Sequence, residues 1–235
     1  DALMPALGRA ASLFHAIAPA YRARFVVGEG DDDDAVDSDG DEISLDAVVG
    51  QLLELIMTLT EHPRLCTVLE PALGEIVYQA IGYMCMTRAQ EDSWGDDPDQ
   101  YVADEDEDAS STRAMCGLLL DELADRFELA ALKALAEATA RRLGESEASR
   151  AAGDPAWWKP REATMLAVGT LNDVLVETEA DAKSANVPAP FSAQHFLRTV
   201  MDVDLAPGAE ATVPSFLRGR ALWVAARLAP GAPPD

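Results

Sequence analysis

LDAVVGQLLELIMTL, residues Leu45 to Leu59, carries apolar side chains at Leu45, Val48, Val49, Leu52, Leu55, Ile56 and Leu59. Steps of three and four residues keep these on one face of an α-helix, whereas a half-buried strand needs alternation. The same spacing recurs along the chain. Leu73, Ile76, Val77, Ala80, Ile81 and Met84 repeat it, as do Met115, Leu118, Leu119 and Leu123. Leu132, Leu135, Ala136, Ala140 and Leu143 form a further set, and Met165, Leu166, Val168, Leu171, Val174 and Leu175 another. Phe196, Leu197 and Val200, then Phe216, Leu217, Leu222, Trp223, Ala225 and Leu228, complete the series. No stretch sustains a period of two, so the fold class expected is all-α.

Punctuation falls between these sets. Pro63 and Pro71 bracket a short segment, Gly153-Asp154-Pro155 precedes one helix, and Pro188–Pro190 another. Ser110–Thr112 offers N-cap hydroxyls before the Met115 set, and Pro214 suits the first turn of the last helix. Taking every second helix, starts fall near Ser44, Thr112, Trp157 and Pro214. Their spacing centres on the period of a HEAT-type helical repeat, roughly 40 to 47 residues, once two acidic insertions are allowed for. Periodicity alone leaves both a helical solenoid and a globular bundle open.

Composition narrows the function classes. The 235 residues carry 42 acids against 18 bases, a net charge of −24. Ten acids lie within Glu29–Asp46 and ten within Glu91–Asp108, and neither window holds a Lys or Arg. Outside the two windows the chain is close to neutral. A charge so concentrated points to a surface aimed at a basic partner. It argues against nucleic acid, whose phosphates would be repelled, and against anionic membranes. No apolar run reaches the roughly 18 to 20 residues that span a bilayer. The beginning Asp1-Ala2-Leu3-Met4 lacks an initiator Met and a basic leader, as expected of a piece of a longer protein. Cys66, Cys85 and Cys116 have no Cys-x-x-Cys spacing and sit in apolar helical contexts, so reduced core thiols are expected.

Four stretches, in order, carry a resemblance. EIVYQAIGYMCMT (Glu75–Thr87), DPDQYVADEDEDASSTRAMCGLLLDELADRF (Asp97–Phe127), WWKPREATMLAVGTL (Trp157–Leu171) and FLRGRALWVAARLA (Phe216–Ala229) resemble successive segments of the importin-β superfamily of nuclear transport receptors, in its importin-9-like branch. The likeness runs from about Glu75 to Ala229, more loosely back to Ala2, and is to a middle portion of far longer receptors. The Gly28–Asp46 insertion is longer and more acidic than that pattern, and Lys183–Pro190 and Asp204–Thr212 do not match it. The resemblance implies a HEAT-repeat α-solenoid over residues 1–235, one continuous array with acidic insertions at about 29–46 and 91–108. It implies a non-catalytic import receptor that shuttles between cytoplasm and nucleus. Its partners would be Ran-GTP, Phe-Gly nucleoporins and basic cargo such as core histones, with no cofactor. The cargo- and Ran-binding acidic loop would be Asp96, Asp97, Asp99, Asp104, Glu105, Asp106, Glu107 and Asp108, with a secondary loop at Asp31, Asp32, Asp33, Asp34, Asp37, Asp39, Asp41 and Glu42. The bland reading of either run is a solvated, self-repelling linker. The alternative from another class is an acidic HEAT-repeat scaffold or histone chaperone with no transport role. Within the superfamily, an exportin would bind cargo more tightly with Ran-GTP present.

Other chemistry fits less well. Placing Gly40 at the obligatory glycine of a calcium loop puts Ala35 at the first ligand position, Glu42 where an apolar residue belongs and Asp46 in place of the terminal Glu. Asp33, Asp34 and Asp37 spell the DDxxD of all-α isoprenoid synthases, but among glycines and without helical periodicity, and the second metal motif is missing at Asn172-Asp173. Ser38, followed by Asp39, Asp41 and Glu42, has the context of an acid-directed kinase substrate. His15, His62 and His195 lack metal-ligand spacing. Trp157, Trp158 and Trp223 read as core aromatics, with exposed ones as contributors to Phe-Gly pockets, and Arg218 and Arg220 as partners of neighbouring acids.

Overall fold

Helices account for nearly all of the structure, a computed structural model that describes residues 3–29, 35–36, 42–107 and 111–229. The fold is all-α, with helices packed in pairs in the manner of a HEAT-repeat protein. It comprises two compact units, Asp1–Arg126 and Phe127–Asp235.

In the first unit, α1 (Leu3–Ala16) and α2 (Ala18–Tyr21) lead into a π-helical turn, Arg22–Val27. Gly28 ends it at φ 83°, a left-handed conformation that glycine adopts without strain. Ser44 caps α3 (Leu45–Glu61) by accepting from the Ala47 N–H at 3.0 Å. Two 3-10 turns, the second holding Pro71, lead to α4 (Leu73–Tyr83). Then come α5 (Arg88–Asp96), α6 (Pro98–Glu107) and α7 (Thr112–Phe127). Ser111 Oγ accepts from the Ala114 N–H at 3.2 Å, so an N-cap hydroxyl stands where the sequence placed one. The core gathers Phe14, Tyr21, Leu53, Val77, Ile81, Met84, Met86, Leu119 and Leu123. Within it Tyr83 donates to the Phe14 carbonyl at 2.6 Å. Burial pushes the hydroxyls of Tyr21 and Tyr83 above the ordinary phenol range.

The second unit holds α8 (Leu129–Ala151), α9 (Trp158–Thr170), α10 (Asn172–Ser184), α11 (Ala193–Val203) and α12 (Ser215–Leu228). Helix α9 lies against both α8 and α12 and is buried on almost every side. Its sequence is therefore not amphipathic, and its charged residues Lys159, Arg161 and Glu162 lie inside. Arg161 is bidentate to Asp204 at 2.7 and 2.8 Å, and Arg220 on α12 donates to Glu162 at 2.8 Å.

One pair of helices in each unit runs parallel. Thr112 at the head of α7 donates to Asp46 at the head of α3, and Arg126 at its tail donates to the Thr60 carbonyl at the tail of α3. Trp158 stacks on Phe216 with centroids 6.1 Å apart at the heads of α9 and α12, while Arg227 reaches the Gly169 carbonyl near their tails. Parallel stacking of like helices is how HEAT hairpins bury faces that one hairpin leaves open. The four helices so stacked start where the sequence put the repeat starts.

Three expectations change in detail. The set Met165–Leu175 is two helices, because α9 ends at Thr170 and α10 restarts after Leu171. A two-residue antiparallel pair, β1 (Ala35–Val36) and β2 (Glu42–Ile43), lies within the first acidic run without altering the class. The second acidic run, expected as a loop, is helical over Pro98–Glu107.

Candidate functional site

The second acidic run folds as a helical hairpin, and local chemistry explains why. Thr87 and Gln90 form a reciprocal capping box that starts α5. Asp97 then turns extended and caps α6, its Oδ1 accepting from the Asp99 N–H at 3.0 Å and the Gln100 N–H at 3.3 Å. Pro98 follows at the first helical position, and Asp99 complements the positive end of the helix. The sequence pattern of acids hid a helix whose start signals, Asp-Pro and an early acid, were present.

One buried aromatic closes the hairpin. Trp94 is 3% exposed, donates its indole N–H to Asp104 Oδ2 at 2.7 Å, and meets Tyr101 edge to face with centroids 5.0 Å apart. Gln100 donates to the other oxygen of Asp104. Asp104 thus accepts hydrogen bonds with both of its oxygens and closes the hairpin. Asp96, Asp97 and Asp99 are exposed. Glu105, Asp106 and Glu107 continue α6, and Asp108 lies outside the described residues. Of the secondary set, Asp31, Asp32, Asp33, Asp34, Asp37, Asp39 and Asp41 lie outside the described residues, and Glu42 is placed as part of β2. Ser38, Gly40 and the DDxxD carboxylates also fall outside them.

Both acidic windows leave and rejoin the core at shared points. Where the first begins, Gly28 packs so tightly on Arg88, the first residue of α5, that an added Cβ would stand 3.3 Å from Arg88 Cγ. Where they end, Asp46 Oδ1 accepts from Thr112 Oγ1 at 2.8 Å, just beyond Asp108 in the chain, and from Tyr21 Oη at 3.2 Å. The residues that flank the two runs, far apart in sequence, therefore meet at Gly28 with Arg88 and at Asp46 with Thr112. Arg88 stands at their foot, paired with Asp92 at 3.0 Å and Glu91 at 3.7 Å. Sequence reasoning treated the runs as primary and secondary; their anchors, Gly28 with Arg88 and Asp46 with Thr112, carry no motif that announces the pairing. On the nearby helix α7, lost hydration and then the like charges of Asp125 and Glu122 raise the Asp121 carboxyl above the usual range.

The remaining candidates make contacts within the fold. Trp158 is buried; Trp157 lies under the Arg150 guanidinium at 4.5 Å; Trp223 is held between Arg220 and Arg227 at 4.7 and 4.4 Å. His15 shares a hydrogen bond with Gln79 at 2.8 Å, and His62 Nδ1 accepts from the Arg64 N–H at 3.3 Å beyond the end of α3. Asn172 donates to Asp173 and accepts from Arg227 at 3.2 Å. The three cysteines form no disulfide and are buried. Among the described residues no group of three or more His, Cys, Asp or Glu is placed to hold a metal ion, and no helix is long and apolar enough to cross a membrane.

Over 142 residues the chain is 32% identical to importin-9 of Drosophila melanogaster. The match takes in 60% of this chain but only 14% of that protein's length. No protein-family model matches.

Proposed function

We propose that the chain is part of a nuclear import receptor of the importin-β family, the part that holds basic cargo, core histones foremost, against its paired acidic segments. Importins are transport receptors rather than enzymes, which sets the class of activity. The observation that carries the reading is the shared origin of the two acidic runs, fixed by Gly28 against Arg88 and by Asp46 bonded to Thr112. Two polyanionic segments rooted at one edge act on one partner, and their fields add. Screening limits their reach to about 8 Å in physiological salt, so the partner must lie in contact with them. A protein dense in Lys and Arg meets that requirement; nucleic acid does not.

In this proposal the 235 residues are one stretch of a continuous HEAT array. The acids Asp96, Asp97, Asp99, Glu105, Asp106, Glu107 and Asp108, with those of Asp31–Glu42, contact cargo cations, while Asp104 keeps the hairpin closed. Ran-GTP governs release, Phe-Gly nucleoporins carry the receptor through the pore, and the receptor shuttles between cytoplasm and nucleus. The test is made on the full-length protein with a labelled core histone dimer, Ran-GTP and a Phe-Gly repeat peptide. Binding of all three, with cargo affinity altered by Ran-GTP, is expected. Histone binding without the other two would make the protein an acidic scaffold or chaperone.

A further inference from the structure

We propose that Ser93 is a phosphoacceptor for an acid-directed protein kinase. Ser93 is exposed in the last turn of α5. Asp96 and Asp97 follow it by three and four residues, and Glu91 and Asp92 precede it. A kinase whose substrate groove is lined with Lys and Arg recognises a serine through such carboxylates. Among the described residues bordering the hairpin, the hydroxyls of Thr87 and Ser111 cap helices and that of Thr112 donates to Asp46.

Phosphoryl transfer requires the chain around Ser93 to extend into a kinase cleft, and α5 is built to open there. The Ser93 carbonyl accepts the last bond of the helix, from the Asp97 N–H at 3.1 Å, before the backbone turns extended. Gly95 stands in that turn although an added Cβ would meet nothing within 4 Å, so packing does not demand glycine. A glycine inside a short terminal turn lowers the free energy of local opening. Ser93 Oγ attacks the γ-phosphorus of ATP, the bond to the β,γ-bridging oxygen breaks, the hydroxyl proton passes to the kinase base, and ADP leaves. The product adds close to two negative charges beside Asp96 and Asp97, at the helix end where the macrodipole already disfavours them.

The test is incubation of the whole 235-residue chain with an acid-directed Ser/Thr kinase and Mg-ATP, with phosphopeptide mapping and an acidic reference peptide to verify kinase activity. Phosphate is expected on the Ser93 peptide and absent from it in Ser93→Ala. The rate at Ser93 should fall at least tenfold in Asp96→Asn/Asp97→Asn, since asparagine keeps the side-chain oxygen that caps α6 while removing the charge. It should fall several-fold in Gly95→Ala, which leaves every charge in place. No phosphate at Ser93 while the reference peptide is modified, or an unchanged rate in either variant, overturns the proposal. The readout is independent of cargo binding.

Discussion

Gly169 and Cys116 show how much of this chain is fixed by single contacts. An alanine at position 169 would put its Cβ 2.0 Å from the Trp223 ring. That ring is clasped by Arg220 and Arg227, so it has little room to yield. Gly169→Ala is expected to lower stability by about 3 kcal/mol, the upper part of the overpacking range, as read by denaturant unfolding. Cys116 is fully buried, and burial first, then the charges of Asp46 and Cys85, push its thiol far above the ordinary range. The native thiol should therefore resist alkylation at neutral pH and react once the chain unfolds. The folded state holds this proton to higher pH than the unfolded state does. Its contribution to stability is thus complete below the unfolded thiol pKa of about 8.5 and is lost as pH rises beyond it. Cys116→Ser, whose hydroxyl does not titrate, should show a smaller loss between neutral and alkaline pH.

At the scale of elements, α9 is the helix that the periodicity read least well. Its buried ions obey no amphipathic pattern, since each face meets another helix and the ions pair across those contacts. Asp204→Ala leaves the Arg161 guanidinium buried without its bidentate partner and should cost about 3–5 kcal/mol, read by denaturant unfolding. Replacing both residues with apolar side chains of similar volume should cost far less, because no orphaned charge remains. The stretches WWKPREA and FLRGRALW, which carry the family resemblance, supply the stacked Trp158–Phe216 pair and the Glu162–Arg220 bridge between α9 and α12. That alignment was legible as motifs, but the partners of Arg161 and Arg220 lie 43 and 58 residues away and were not. The hairpin α5–α6 shows the opposite failure. Its cap and proline were visible, yet the density of acids over Asp96–Asp108 favoured a loop, because the Trp94–Asp104 bond that closes the hairpin has no signature in charge or spacing. Asp104→Ala removes the acceptor of Trp94 and Gln100. It should cost about 1.5–3 kcal/mol of local stability, seen as faster amide exchange over residues 88–107 with little change at α9.

Across the whole molecule, the helical class follows from hydrophobic spacing, and the starts of α3, α7, α9 and α12 from the caps and breakers that punctuate it. Charge placement was equally visible, with twenty of the 24 excess negative charges in two windows. What spacing does not encode is that tertiary contacts join the residues flanking the two windows. The central claim is that this doubled acidic edge is the surface that meets a basic partner. The most direct measurement is titration of a labelled core histone dimer, near physiological salt, with the intact chain and with a variant neutralised at Asp96, Asp97, Asp99, Glu105, Asp106, Glu107 and Asp108 to Asn or Gln, Asp104 being kept. Affinity is expected to fall at least tenfold, about 1.4 kcal/mol, and to fall further when the acids of Asp31–Glu42 are neutralised as well. Equal binding by the intact chain and the doubly neutralised one would contradict the claim and make both segments solvated linkers.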